Sequence, residues 1–261
     1  MESTKKDKLK HFLDLHYTQF NAKEYLDAHP DPLQIAYKNR DFFAFDELCL
    51  LCALYAYGNA RMIVKNLAAM PFECLLDSTL INNMPLDMFP YYRFQTREDT
   101  RNCLIVLSNF IKQGGIKALF LKSYMQKHSV LDGISHIEQI AKDYIDRHGM
   151  QSYGLQFLFG NPNNRQSPRK RYNMFLRWMV RCDNLDFGLW REVSTDRLLL
   201  PLDTHTFRIS KALGLCKTNT YSLKAVSEIT NTLKSFDSSD PVKYDFALYR
   251  IGQLGLDTTY Y

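Results

Sequence analysis

Glycine is scarce, with 11 in 261 residues, roughly 4% where about 7% is average. That shortage argues against architectures that depend on glycine turns, such as dinucleotide-binding sheets, phosphate-loop folds and turn-dense β-sandwiches. Long apolar runs are missing too. The longest, Leu48 to Tyr57, is about half of what a membrane span needs. The opening MESTKKDKLK is charged and lacks the apolar stretch of a signal peptide. The six cysteines, at 49, 52, 74, 103, 182 and 216, fall mostly within apolar helical patterns, and a chain of this length folds without disulfides. The expectation is a reduced, cytoplasmic protein with no membrane partner.

What is present is ordinary for a globular chain: 46% apolar and 23% charged residues, enough to form a core and exclude wholesale disorder. Apolar residues recur at helical spacing almost throughout, while sustained alternation at period two is hard to find. In 97–113, Cys103, Leu104, Leu107, Phe110 and Ile111 fall on one stripe that Gly114-Gly115 terminates. Similar patterns predict helices near 6–20, 41–57, 59–69, 116–127, 132–147, 168–182, 204–213, 220–235 and 241–253, an all-α fold. Breaks are expected at Pro30-Asp31-Pro32, between Asn82 and Pro90, and at Gly160-Asn-Pro-Asn-Asn164.

Familiar chemical signatures are absent or incomplete. Cys49-x-x-Cys52 has metal-like spacing but sits in Leu-Cys-Leu-Leu-Cys-Ala-Leu with no second ligand pair, which favours core packing. The seven histidines lack the spacing of a metal-binding helix. Asp186-Phe187-Gly188 matches a kinase tripeptide, yet no glycine-rich or catalytic loop accompanies it. Neither a metal nor a cofactor is expected.

Charge concentrates in 165–181, which holds six basic residues and no acidic one. Ser167-Pro168 reads as an N-cap followed by proline at the first helical position, which puts Lys170 in the first turn. A cation is disfavoured there by the helix dipole and by Arg169 and Arg171, so a neutral, nucleophilic amine is expected. Lys170, Met174, Arg177 and Arg181 share one helical face, and Phe175, Trp178, Met179 and Cys182 form an apolar stripe beside it. The alternative is a solvated basic helix end whose arginines pair with Asp183, Asp186 or Glu192. Further on, Asp203 reads as the N-cap of a short helix ended by Gly214. A cap needs no catalytic role, so both readings stay open on the residues alone.

Lys170-x-x-Asn173-x-x-Leu176 on a helix, followed by Pro201-Leu-Asp-Thr-His-Thr-Phe-Arg208 and Leu213-Gly-Leu215, resembles the helix-hairpin-helix DNA glycosylase superfamily of endonuclease III. The block 170–181, with Asp186-Phe-Gly-Leu-Trp190 and Pro201 to His205, is most similar to an uncharacterised bacterial family related to archaeal 8-oxoguanine glycosylases. The resemblance covers about 165–215. It implies one bilobed helical domain over 1–261, with one lobe near 41–160, the other from 1–40 and 161–261, and a DNA-binding cleft between them. Lys170 and Asp203 become the catalytic pair. Met174, Phe175, Trp178, Tyr244, Phe246 and Arg250 become candidate walls of a base pocket. Candidate DNA contacts are Tyr57, Asn59 and Arg61 at a wedge, Arg165, Ser167, Arg169, Arg171, Arg177 and Arg181 along the basic segment, and His205.

The hairpin departs from the superfamily pattern, with Gly160-Asn-Pro-Asn-Asn-Arg-Gln-Ser167 where glycines usually grip phosphate. No four-cysteine cluster follows Asp203. The implied activity is a monomeric, nucleoid-associated base-excision enzyme that acts on double-stranded DNA containing a damaged base. It would remove an oxidised purine, 8-oxoguanine by proximity of family, through a lysine Schiff base with strand cleavage. The alternative is a non-catalytic helical nucleic-acid-binding protein. The residues leave open any role for the tail Asp257 to Tyr261.

Overall fold

The protein, described over residues 2–256 in a computed structural model, is 64% helix with no strand among the described residues. The tail 257–261 lies outside the described residues. Two compact units divide the chain, Met1–Ala28 with Arg165–Tyr261 and His29–Asn164. Helices α1 (Glu2–Phe20) and α2 (Lys23–Asp27) open the first unit. The second holds α3 (Leu33–Lys38), α4 (Phe45–Leu54), α5 (Ala60–Ala68), α6 (Ser78–Asn83), α7 (Arg97–Lys112), α8 (Ile116–Lys127), α9 (Val130–Arg147) and α10 (Tyr153–Phe159). The chain then returns to the first with α11 (Lys170–Val180), α12 (Thr204–Ala212), α13 (Leu223–Lys234) and α14 (Asp245–Leu254). The central unit therefore starts at residue 29, where the sequence reading placed the lobe boundary near 41.

In the second unit, α4 is apolar on every side after its first turn, and every residue from Leu48 to Leu54 has zero exposure, the mark of a central helix. Cys49 and Cys52 belong to that core, and no disulfide joins any of the six cysteines. A capping box starts α7: Thr96 Oγ1 accepts from the Asp99 N–H at 3.0 Å, and Asp99 returns by accepting from the Thr96 N–H at 2.8 Å. The expected stripe of α7 is buried at Cys103, Leu104, Leu107 and Phe110. Glu47, itself buried, accepts from the Ile116 N–H at 2.7 Å and so satisfies an amide at the start of α8. Gly133 lets α9 lie against Phe120 of α8, since a Cβ there would sit 2.4 Å from the ring.

The first unit ties the two ends of the chain together. Leu13 and Phe20 of α1 are buried, and Asp14 accepts from the Tyr244 hydroxyl at 2.7 Å. Burial and the Asp14 carboxylate both push that phenol up. Helix α14 packs closely on α12, because Gly252 carries no side chain where a Cβ would lie 3.0 Å from Ile209 and 3.4 Å from His205. That close approach fixes the start of α12, and with it Asp203, relative to α14.

Candidate functional site

Helix α11 begins later than its sequence suggests. Ser167 does not cap it; its hydroxyl accepts only from the Arg169 N–H, at 3.3 Å. Arg169 occupies the capping position in a left-handed conformation, φ 47°, which a helix does not propagate through. Lys170 is therefore the first helical residue, not the third. Asn173 explains its place in the motif: its side-chain amide donates to the Pro168 carbonyl at 3.0 Å and clamps the entering chain onto the helix. Lys170 and Arg171 are half-buried, Ser167 likewise, and Arg165 is exposed.

Beyond this first turn, α11 is buried from Tyr172 to Val180. The ligand-facing face expected for Met174, Arg177 and Arg181 is corrected accordingly. The Arg177 side chain donates to Asp186 at 3.2 Å and to Asp245 at 2.5 Å. Arg181 donates to Asp240 at 2.8 Å and to Asp186 at 2.5 Å, and pairs with Asp183 at 2.9 Å. The two guanidiniums are 4% exposed, which removes them as phosphate contacts, and Arg169, at 7%, is buried as well. The arginines pair with Asp183 and Asp186, as the alternative raised from the sequence had it, but buried and not at a solvated helix end. Four carboxylates face two guanidiniums here, and burial pushes Asp186 up to about 6 against the pull of both arginines.

The residues expected to wall a base pocket are buried and engaged within the protein. Phe175 stands edge-on to Trp190 at 5.2 Å and Trp178 is 1% exposed, so both are core. Tyr244 is spent on Asp14, and Phe246 lies between the guanidiniums of Arg250, at 4.7 Å, and Arg177, at 5.8 Å. Arg250 is fully buried, with Nη2 donating to the Tyr25 carbonyl at 3.2 Å. In the second unit, Asn59 caps α5, accepting from the Arg61 and Met62 N–H groups at 3.0 and 3.3 Å. Tyr57 joins an aromatic cluster with Phe157 at 4.7 Å, Tyr92 at 5.2 Å and Phe94 at 5.8 Å. Arg61 is exposed.

Three helix starts in the first unit are electrostatically joined. Asp203 caps α12, its Oδ1 accepting from the Thr206 N–H at 2.7 Å. Asp245 opens α14 and is buried. Burial raises the Asp245 pKa, Arg177 lowers it, and two further groups act on it: the Asp203 carboxylate raises it and the Lys170 ammonium lowers it. Lys170 and Asp203, 33 positions apart in the chain, therefore both lie within electrostatic reach of one buried carboxyl. Tyr221 borders the same place. Its hydroxyl donates to the Leu202 carbonyl at 2.6 Å, and its pKa is pushed up to about 12 by burial and by Asp203, with Arg171 opposing. His205, Thr204 and Arg208 sit exposed on α12 beside Asp203.

Asp245 and Tyr221 were not foreseen. A lone acid in the apolar stretch Val242 to Gly252 was the available signal for the first; nothing in the sequence marks the second. An amine and carboxylates are the kinds of groups that attack electrophiles and carry protons.

The fold defines an all-helical protein in which Lys170, Asp203 and Asp245 each stand at a helix start of the first unit. Residues 31–254 match the family described as "Protein of unknown function (DUF2400)", and the chain belongs to that family. Neither the curated proteins nor the solved structures give a match.

Proposed function

We propose that the chain is a DNA glycosylase with an associated lyase activity, which uses Lys170 as nucleophile and Asp203 as its proton acceptor. The observation that carries this reading is the shared reach of Lys170 and Asp203 onto Asp245 within one compact unit. On this reading the two units are the lobes of a helix-hairpin-helix glycosylase, and the substrate is an oxidised purine such as 8-oxoguanine in duplex DNA.

Extruding the nucleotide costs a few kcal/mol. The Lys170 Nζ, its proton passed to Asp203, forms a bond to C1′ as the C1′–N bond breaks and the electron pair leaves on the base, which is then protonated. Opening of the sugar gives a protonated imine. Loss of a C2′ proton from it expels the 3′ phosphate by β-elimination. Asp203 also stabilises positive charge on the sugar while the bond to the base breaks.

Borohydride reduction in the presence of an oligonucleotide duplex containing 8-oxoguanine tests the scheme. The expected result is a covalent protein–DNA adduct that is lost in Lys170→Gln and strongly reduced in Asp203→Asn. Base release that continues unchanged in Lys170→Gln overturns the nucleophile. Binding without turnover on any lesion-bearing duplex makes the protein a nucleic-acid-binding module instead.

A further inference from the structure

The first unit contains a second feature that the glycosylase reading does not use, an open groove of about 790 Å³ between residues 165–166 and the start of α13. Its lining includes the cations Arg165, Lys217 and Lys224, the polar side chains of Asn219 and Ser227, and one acid, Glu228. All three cations are exposed. Glu228 is occupied by the groove's own wall, accepting from the Thr218 N–H at 2.9 Å, the Thr218 hydroxyl at 2.6 Å, the Lys217 N–H at 3.1 Å and the Cys216 thiol at 3.2 Å. Those donors bring its carboxyl down to about 2, and they pin the loop that carries Lys217. The one acid of the groove stays ionised and shapes its wall, and the three cations outnumber it.

The groove is continuous with the candidate site. The Leu223 N–H of α13 donates to the Gln166 carbonyl at 2.9 Å, which joins the far wall to the segment leading into Lys170. Tyr221, between the groove residues Thr220 and Ser222, reaches the Leu202 carbonyl next to Asp203. Charge follows the same division. The first unit has 20 Lys and Arg against 15 Asp and Glu, while the second has 13 of each, so the whole net charge of +5 belongs to the unit with the groove.

We propose that this groove takes a phosphodiester backbone, with Lys217 and Lys224 joining Arg165 as phosphate contacts that hold the strand beside the Lys170 site. The proposal rests on the nucleic-acid reading above and extends it to residues outside the motif. Neutralising a phosphate releases condensed counterions, so each contact adds about 0.9 to the slope of log affinity against log salt.

Fluorescence anisotropy of a labelled duplex, measured from about 50 to about 200 mM salt, reads that slope. In Lys217→Ala/Lys224→Ala the slope is expected to fall by about 1.8, two contacts' worth. Lys122→Ala/Lys234→Ala removes the same formal charge from residues that do not line the groove and is expected to keep the wild-type slope. Circular dichroism and urea midpoints check that both variants are folded. An unchanged slope in the groove variant, or an equal fall in the control, overturns the proposal. So does displacement of the duplex by micromolar tripolyphosphate, which would make the groove a site for free anions. If the wild type forms the borohydride adduct while the groove variant keeps its slope, only the groove assignment falls. No duplex affinity at about 50 mM salt brings down both readings.

Discussion

Single residues in α11 do two kinds of work, and stability measurements separate them. Asn173 is 1% exposed and holds the Pro168 carbonyl, so it fixes the left-handed entry at Arg169 that makes Lys170 the first helical residue. Asn173→Ala leaves that carbonyl without its donor, at a cost of about 1–3 kcal/mol, measured by urea unfolding; a loss well below this would show that the clamp is not what holds the turn. Arg181 is a counter-charge for three carboxylates, Asp183, Asp186 and Asp240. Replacing it by Met strands three carboxylates together with only Arg177, at Asp186, to oppose them, and is expected to destabilise by about 3–5 kcal/mol. Adding Asp186→Asn to that variant removes one of the stranded charges and should recover part of the loss. A double variant less stable than Arg181→Met alone would contradict the electrostatic account.

At the scale of elements, the turn between α13 and α14 is built on one carboxylate. Asp237 accepts from the Ser239 and Asp240 N–H groups at 3.0 Å each, from the Ser239 hydroxyl at 2.8 Å and from the Lys243 ammonium at 2.8 Å. Burial alone would raise its pKa, but these donors outweigh it and hold the carboxyl well below the usual range. A carboxyl whose folded pKa lies below its unfolded value stabilises the native state above the unfolded pKa, about 3.9 for Asp. That contribution is lost as pH falls toward the folded value. Asp237→Asn should therefore flatten the acid limb of stability against pH below about 4, read from urea midpoints, and an unaltered limb would exclude this role.

The long helices were legible in the sequence because each shows several turns of apolar periodicity, as in the stripe of α7. Helices α2, α3, α6 and α10 have only five to seven residues, too few for a 3.6-residue pattern to register. Helix α11 misled for a different reason. Its basic residues suggested an exposed face, whereas the acids that bury Arg177 and Arg181 come partly from positions 240 and 245, and no local pattern reveals a partner so distant in sequence. The Asp203 cap was legible because its donor lies three residues away.

Over the whole molecule, the excess charge and the proposed chemistry belong to the same unit. Lys170, Asp203 and Asp245 and the full net charge of +5 belong to the unit formed from the two ends of the chain, while the continuous unit His29–Asn164 is electrically balanced. That balanced unit has its own core, centred on α4, buried throughout from Glu47 to Leu54, and closed by α7, α8 and α9. A segment with its own core and no gap in its chain is expected to fold alone. Expressed as residues 29–164, it should give a helical spectrum and a single cooperative thermal transition. It should form no borohydride adduct, lacking the amine, and bind a duplex far more weakly than the whole protein, because no excess of cations remains to release counterions. Affinity of the isolated segment equal to that of the full chain would move the nucleic-acid surface to the second unit, where Arg61 and the aromatic cluster around Tyr57 would be the groups to mutate. A broad, non-cooperative transition would instead show that α4 needs the rest of the chain to stay buried.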